Sequence, residues 1–233
     1  MAELGRRRAR DSAYSPEARG CECWRCPLKD AREGSPVPPE WPAHPLALLV
    51  GANPGYEEIE RGVPFVGRAG IELMRGLGAI GAVRGRFAIT NAILCCPPGA
   101  PRGALERFDH GITRENKRRE KQGLEPIPTP RECCRPRLLR EVASLPNVIV
   151  LGGTALHAVT GRPTSIMETR GGPRELHMHD IATSETYNIE TGSIRILPTL
   201  HPSFVMSSKR WRGPFRADLA RAIRWFTSGL AWR

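Results

Sequence analysis

The sequence predicts an α/β protein, a three-layer α/β/α sandwich around a central four-stranded parallel sheet. Three features of the 233-residue chain carry that expectation: four apolar runs of strand length, helix-period segments between them, and polar turn motifs directly after the runs. The runs are residues 46–50, 87–90, 148–151 and 194–197, each dominated by Val, Ile, Leu, Ala or Phe, as strands covered on both faces require. Residues 68–80 repeat apolar side chains at helix spacing through Ile71, Leu73, Met74 and Leu77, and residues 137–145, 153–160 and 214–227 do the same. Residues 102–130 crowd Arg, Lys and Glu around Asn116-Lys117-Arg118-Arg119 and close with Pro126, Pro128 and Pro130, which reads as an inserted, exposed basic loop. Residues 162–193 read as a polar loop or small hairpin. The expected organisation is a mobile basic arm over residues 1–20 and a single domain over 21–233.

Ligands of open α/β sheets collect beyond the carboxyl ends of the strands, and the candidate motifs fall there. Gly51-Ala52-Asn53-Pro54-Gly55 follows the first run. Gly51 and Gly55 let the backbone approach a ligand closely, Pro54 fixes one torsion, and Asn53 brings a polar amide into the turn. Pro64-Phe65-Val66-Gly67 comes shortly after it, Asn91 follows the second run, and Pro198-Thr199-Leu200-His201-Pro202-Ser203 follows the fourth.

The formal charge of +11 and a sequence pI near 10.0 point to a polyanionic partner, because lysines and arginines that neutralise phosphates release counterions. Nucleic acid is the natural candidate. No apolar stretch approaches the roughly 20 residues of a membrane helix, and Arg6, Arg7, Arg8 and Arg10 are not followed by a hydrophobic signal core. A membrane protein is therefore not expected; a cytoplasmic, nucleoid-associated monomer is.

Seven cysteines in such a protein point to a metal or redox site rather than to structural disulfides. Cys23 and Cys26, two residues apart, can face one metal centre, and Cys95 or Cys96 with Cys133 or Cys134 can complete a set of four thiolates. Tetrahedral zinc and an iron-sulfur cubane both fit four thiolates, and spacing does not choose between them. Cys21, Cys96 and Cys133 read as the spare, small hydrophobic members.

Taken together, these segments resemble the iron-sulfur (family 4) uracil-DNA glycosylases of the uracil-DNA glycosylase superfamily. The likeness starts at Cys23-x-x-Cys26-x-Leu28-x-x-x-Arg32 and continues through Gly51 to Gly70, with Glu58, Gly62, Pro64-Phe65-Val66-Gly67 and Gly70 in register. It goes on to Thr90-Asn91, Cys95, Cys134-x-Pro136-x-Leu138, Leu151-Gly152, Arg170-Gly171 and Pro198 to Ser203. The resemblance implies removal of uracil from DNA, with mispaired thymine or an oxidised pyrimidine as further candidates. It also implies that Cys23, Cys26, Cys95 and Cys134 hold a structural 4Fe-4S cluster. His201 and Asn53 become the expected catalytic pair, and Gly51, Ala52, Gly55, Phe65, Asn91 and Ser203 the expected substrate-binding set. Phe65 is expected to stack on a flipped base, Asn91 to read its edge, and Ser203 with Lys209, Arg210 and Arg212 to grip phosphates beside it, with Trp211 as a wedge.

One departure stands out. The family usually carries Gly-Glu-x-Pro-Gly in its first motif, whereas this chain has Ala52 and then Asn53. Gly-x-Asn-Pro-Gly is similar to the mismatch-specific and single-strand-selective branches, where the asparagine positions the attacking water. The missing carboxylate and the basic insertion keep a second expectation in play, a protein of the same fold that captures uracil-containing DNA without turnover. The incomplete match of Lys117-Arg118-Arg119-Glu120 to the covalent-trapping branch argues against an adduct.

Overall fold

A computed structural model of the chain describes residues 14–99, 103–181 and 192–228. Within them one mixed sheet contains β1 (Ala47–Gly51), β2 (Phe87–Asn91), β3 (Asn147–Leu151), β4 (Arg174–His177) and β5 (Ser193–Thr199), in the order β2-β1-β3-β5-β4. The four apolar runs are the four mutually parallel strands. The expected four-stranded parallel sheet is corrected by β4, which pairs antiparallel with β5 at the edge. Its Arg-Glu-Leu-His sequence is largely exposed, so backbone hydrogen bonds rather than an apolar run define it. Beside β2, on the opposite edge, Glu33 and Val37 donate their N–H groups to Cys96 and Leu94, and Glu40 exchanges both backbone bonds with Ile89.

The helices are α1 (Leu28–Ala31), α2 (Tyr56–Arg61), α3 (Arg68–Gly78), α4 (Ala104–Lys121), α5 (Pro130–Ser144), α6 (Gly153–Thr160), α7 (Ile166–Thr169), α8 (Met178–Ile181), α9 (Pro202–Ser207) and α10 (Arg212–Ser228). Local chemistry starts α5: Thr129 Oγ1 accepts from Glu132 N, the Glu132 carboxylate returns to Thr129 N, and Pro130 occupies the first turn. The α2 and α6 helices stop at Gly62 and Gly161, both in the left-handed region.

Alternation along β1 sends Leu49 to one core and Leu48 and Val50 to the other. On the first face, Leu49, Ile89, Ile149 and Leu197 pack against Leu73 and Leu77 of α3 and Phe215 and Leu219 of α10. On the second, Leu48, Val50, Val148 and Ile196 pack against Leu138 and Val142 of α5 and Leu156 and Val159 of α6. These are the expected helical layers on either side of the sheet.

The basic insertion differs from the expected loop. Residues 104–121 are helix α4, with Ala104, Leu105 and Ile112 buried. Arg, Lys and Glu are good helix formers, and here they occupy the solvent side of a helix with a narrow apolar face. The returning segment is tied back by Asn116, whose amide donates to Ile127 O and accepts from Ile127 N. Residues 162–193 contain α7, β4 and α8 rather than a plain loop, with 182–191 outside the described residues. Of the expected mobile arm, residues 1–13 lie outside the described residues. Residues 14–20 are folded on the protein: Tyr14 packs against the cysteine-rich cluster, and Arg140 donates to Arg19 O. No helix among the described residues is long and apolar enough to cross a membrane.

Candidate active site

The chain leaves β1 toward β2 on one side and returns to β3 on the other, so the connections part at the carboxyl ends of β1 and β3. Gly51 is in register with Asn91, and Leu151 with Thr199, which puts the motif loops at one level. A cleft of about 780 Å³ opens there, and Ala52, Asn53, Gly55, Phe65, Asn91, His201 and Ser203 all line it. Gly51 lies beneath these groups. A Cβ on it would collide with Asn91 Oδ1 and the Phe65 ring, so a glycine at the end of β1 is what lets amide and ring meet.

Two loops are fastened together by Glu58, whose buried carboxylate accepts from Gly55 N and Val66 N at 3.0 Å and from Gly67 N at 2.7 Å. Hydrogen bonds to an ionised acceptor are the stronger kind, and these join the Asn53 loop to the Phe65 loop. Phe65 has φ 51°, a left-handed conformation that costs a non-glycine residue about 1–2 kcal/mol. Arg84 holds it there by donating to Phe65 O at 3.0 Å and Pro64 O at 2.6 Å while pairing with Glu40 at 2.6 Å. Gly70 supplies the remaining space, since a Cβ on it would strike the Phe65 carbonyl. The Phe65 ring is only 6% exposed and belongs to the first core as well as to the cleft wall.

Asn53 Nδ2 donates to Pro54 O at 2.9 Å, which identifies Oδ1 as the amide atom left to accept from a ligand or water. Asn91 ends β2 and is 2% exposed. Behind it Arg137 of α5, itself buried, donates to Thr90 Oγ1, Asn91 O and Ala92 O at 2.9, 2.7 and 3.0 Å and pairs with Glu141 at 2.7 Å.

His201 caps α9. Ser203 N, always a donor, lies 3.2 Å from His201 Nδ1, so Nδ1 is the unprotonated nitrogen and Nε2 carries the hydrogen. Ser203 Oγ reaches the same atom at 2.8 Å. Burial lowers the His201 pKa to about 4, which keeps the ring neutral near pH 7. Its ring centroid is 6.1 Å from that of Phe65. Beneath, Thr199 Oγ1 donates to buried Asp218 at 2.7 Å, and Arg170 pairs with the same carboxylate at 2.7 Å, so the Arg170-Gly171 pair fastens α7 to α10. Trp211 is half-buried against the first core, with Arg210 stacked 5.0 Å from its ring and Phe204 at 5.8 Å. Phe204, 43% exposed, and Tyr56, 47% exposed, are large exposed side chains that line the cleft. Arg212 faces Glu72 at 3.0 Å.

Cys23, Cys26, Cys95 and Cys134 gather in one apolar cluster with Leu28, Ile93, Leu94 and Leu105. Soft thiol donors in such surroundings suit zinc or an iron-sulfur cluster. The expected spares divide. Cys21 joins the cluster, and its thiol beside Cys134 holds the Cys134 thiol below its ordinary value, as Cys133 does for Cys26. Cys96 stands apart and donates to Pro97 O. Among the described residues no three His, Cys, Asp or Glu side chains surround a common metal position.

The sheet, the parted crossovers and the lined cleft define an open-sheet α/β protein with its ligand site at the strand ends. The family model of the uracil DNA glycosylase superfamily matches residues 38–226, and the chain belongs to that superfamily. Among similar proteins is a type-4 uracil-DNA glycosylase of Pyrobaculum aerophilum, 30% identical over 202 residues, covering 85% of this chain and 86% of the relative. Another, from Thermotoga maritima, is 31% identical over 191 residues, 81% of this chain and 80% of the relative. A third, from Saccharolobus solfataricus, is 29% identical over 206 residues.

Sequence reasoning missed Glu58 as a loop fastener, Arg84 as the clamp on Phe65, and Arg137 behind Asn91. Glu58 was visible as an in-register motif residue. Arg84 and Arg137 carried no signal, because their partners are backbone carbonyls brought close only by folding.

Proposed function

We propose that the chain is a DNA glycosylase that hydrolyses the N-glycosidic bond of uracil in DNA, leaving an abasic site for base excision repair. The observation that carries this reading is the convergence of Asn53, Phe65, Asn91 and His201 on one cleft at the carboxyl rim of the sheet. The basic charge suits a DNA partner, and the protein acts as a cytoplasmic monomer with a single domain.

The target base must leave the stack, at a cost of a few kcal/mol, before it can enter the cleft. Phe65 supplies a flat wall for stacking, worth roughly 1–3 kcal/mol without discrimination between bases. Asn91 supplies discrimination: its amide offers a donor and an acceptor to the uracil edge, and cytosine would leave buried groups unpaired. Trp211, with Phe204 beside it, is assigned to fill the gap left in the stack.

Bond cleavage sends the electron pair to the uracil ring and leaves cationic character on the sugar. His201 Nε2–H donates to the carbonyl oxygen on which the negative charge collects, and a donor of this kind is typically worth about 2.7–4 kcal/mol. Ser203 sets the tautomer that makes Nε2 the donor. Asn53 Oδ1 accepts from a water and aims its oxygen at the sugar carbon. An amide cannot take the water's proton, which leaves with the departing base or to solvent, so a slow enzyme is expected.

We assign Cys23, Cys26, Cys95 and Cys134 to a 4Fe-4S cluster, with zinc as the alternative occupant of the same thiolates. When bound it would cross-link the amino-terminal segment, the chain after β2 and α5, and supply no chemistry to hydrolysis.

A cleavage gel tests the reading. Uracil-bearing oligonucleotides, single- and double-stranded, are compared with mispaired thymine and hypoxanthine. Abasic product from uracil supports the enzyme; a heat-stable adduct, or retarded but intact DNA, would replace it with a capturing protein.

A further inference from the structure

We propose that α4 is an arm that tracks the DNA backbone flanking the base held in the cleft. This rests on the DNA-glycosylase reading and extends it to a second contact surface. The first residues of the helix, Ala104, Leu105 and Glu106, line the cleft itself. From there its 18 residues run about 27 Å at 1.5 Å per residue, the span of roughly eight base steps.

The charges along it are sorted by face. At 100° per residue, Arg107, His110, Arg114, Lys117, Arg118 and Lys121 fall within an arc of about 100°, and all six are exposed. Leu105, Phe108 and Ile112 occupy the other side; Leu105 and Ile112 are buried, and Leu105 and Phe108 pack on the cysteine-rich cluster. Glu106, Asp109, Glu115 and Glu120 lie outside the basic arc. Asp109 is engaged by Arg131 at 2.9 Å, which fixes the helix to α5. Arg107 donates to Gly99 O and Arg118 faces Glu115 at 3.6 Å, whereas Arg114, Lys117 and Lys121 have no acidic partner among the described residues. A rigid basic stripe that begins at the cleft and points its unpaired cations to solvent is complementary to a run of phosphates.

The test compares the full chain with the triple variant Arg114→Gln, Lys117→Gln, Lys121→Gln, in which glutamine preserves helix propensity. Binding to uracil-free duplexes of about 10 and about 30 base pairs is followed by fluorescence anisotropy across a salt series, alongside single-turnover uracil excision. The wild type is expected to gain affinity with the longer duplex. The variant should lose about tenfold or more on that duplex and less on the short one, with a salt slope lower by about 2–3, and keep the excision rate at saturating enzyme. Unchanged length and salt dependence would overturn the arm. So would an equal loss in an Arg86→Gln, Arg174→Gln, Arg224→Gln control, which removes the same three charges elsewhere and would trace the effect to net charge. Absence of abasic product from the wild type, with the slope change intact, would remove the glycosylase reading and leave the arm standing.

Discussion

Asn53 commits its NH₂ to the Pro54 carbonyl and keeps its oxygen for a partner, so the residue can orient a water but not deprotonate it. Asn53→Asp is therefore expected to retain or raise uracil excision, because a carboxylate both accepts the proton and opposes the sugar cation, and Asn53→Ala to abolish nearly all of it. Unchanged single-turnover rates in both variants would remove Asn53 from the mechanism. At His201 the prediction concerns pH. Its pKa is lowered by burial to about 4, so the rate should stay level through the ordinary histidine range near 6.5 and fall only as pH approaches 4. The same shift has a sign for stability: between about 4 and 6.5 the unfolded chain binds the extra proton, so stability attributable to this residue rises with pH across that window. A rate profile with an inflection near 6.5 that vanishes in His201→Gln would show the cationic ring to be inhibitory at ordinary pH, against this assignment.

Between elements, single charged side chains do the joining. Glu58 ties the β1 loop to the Phe65 loop, Arg84 holds the backbone before α3, and Asp218 binds Thr199 of β5 to Arg170. Arg137 joins α5 to the end of β2 through three oxygens of consecutive residues, Thr90 to Ala92. Arg137→Met should lower unfolding stability by about 3–5 kcal/mol, since it strands the Glu141 carboxylate and buried carbonyls, and the denaturation midpoint measures it. A loss below about 1 kcal/mol would mean that water replaces the guanidinium.

For the molecule as a whole, the cysteine-rich cluster stands where the amino-terminal segment, the chain after β2 and α5 meet. Protein purified without oxygen is expected to be brown and to contain iron and sulfide, and Cys134→Ser to lose them while Cys96→Ala keeps them; a colourless zinc protein would reassign the thiolates. How far the chain announces all this depends on the range of the forces involved. Apolar runs and helix periods are local, so strands β1, β2, β3 and β5, helices α3, α5, α6 and α10, and the motif loops at the strand ends were legible. Edge strand β4 was not, because its pairing lies in backbone bonds to β5 that leave no apolar trace, and α4 was hidden because surface charge resembles a loop. Residue type and chain order alone reveal what stands at the end of each strand, and hence the superfamily. Folding in three dimensions is what gathers Asn91 and Phe65 in the space over Gly51, turns Ser203 N onto His201 Nδ1, and sets the start of α4 at the edge of the cleft. The first and third bring together residues far apart in the chain, which packing alone does, and the second needs the backbone turn from β5 into α9 that caps the helix.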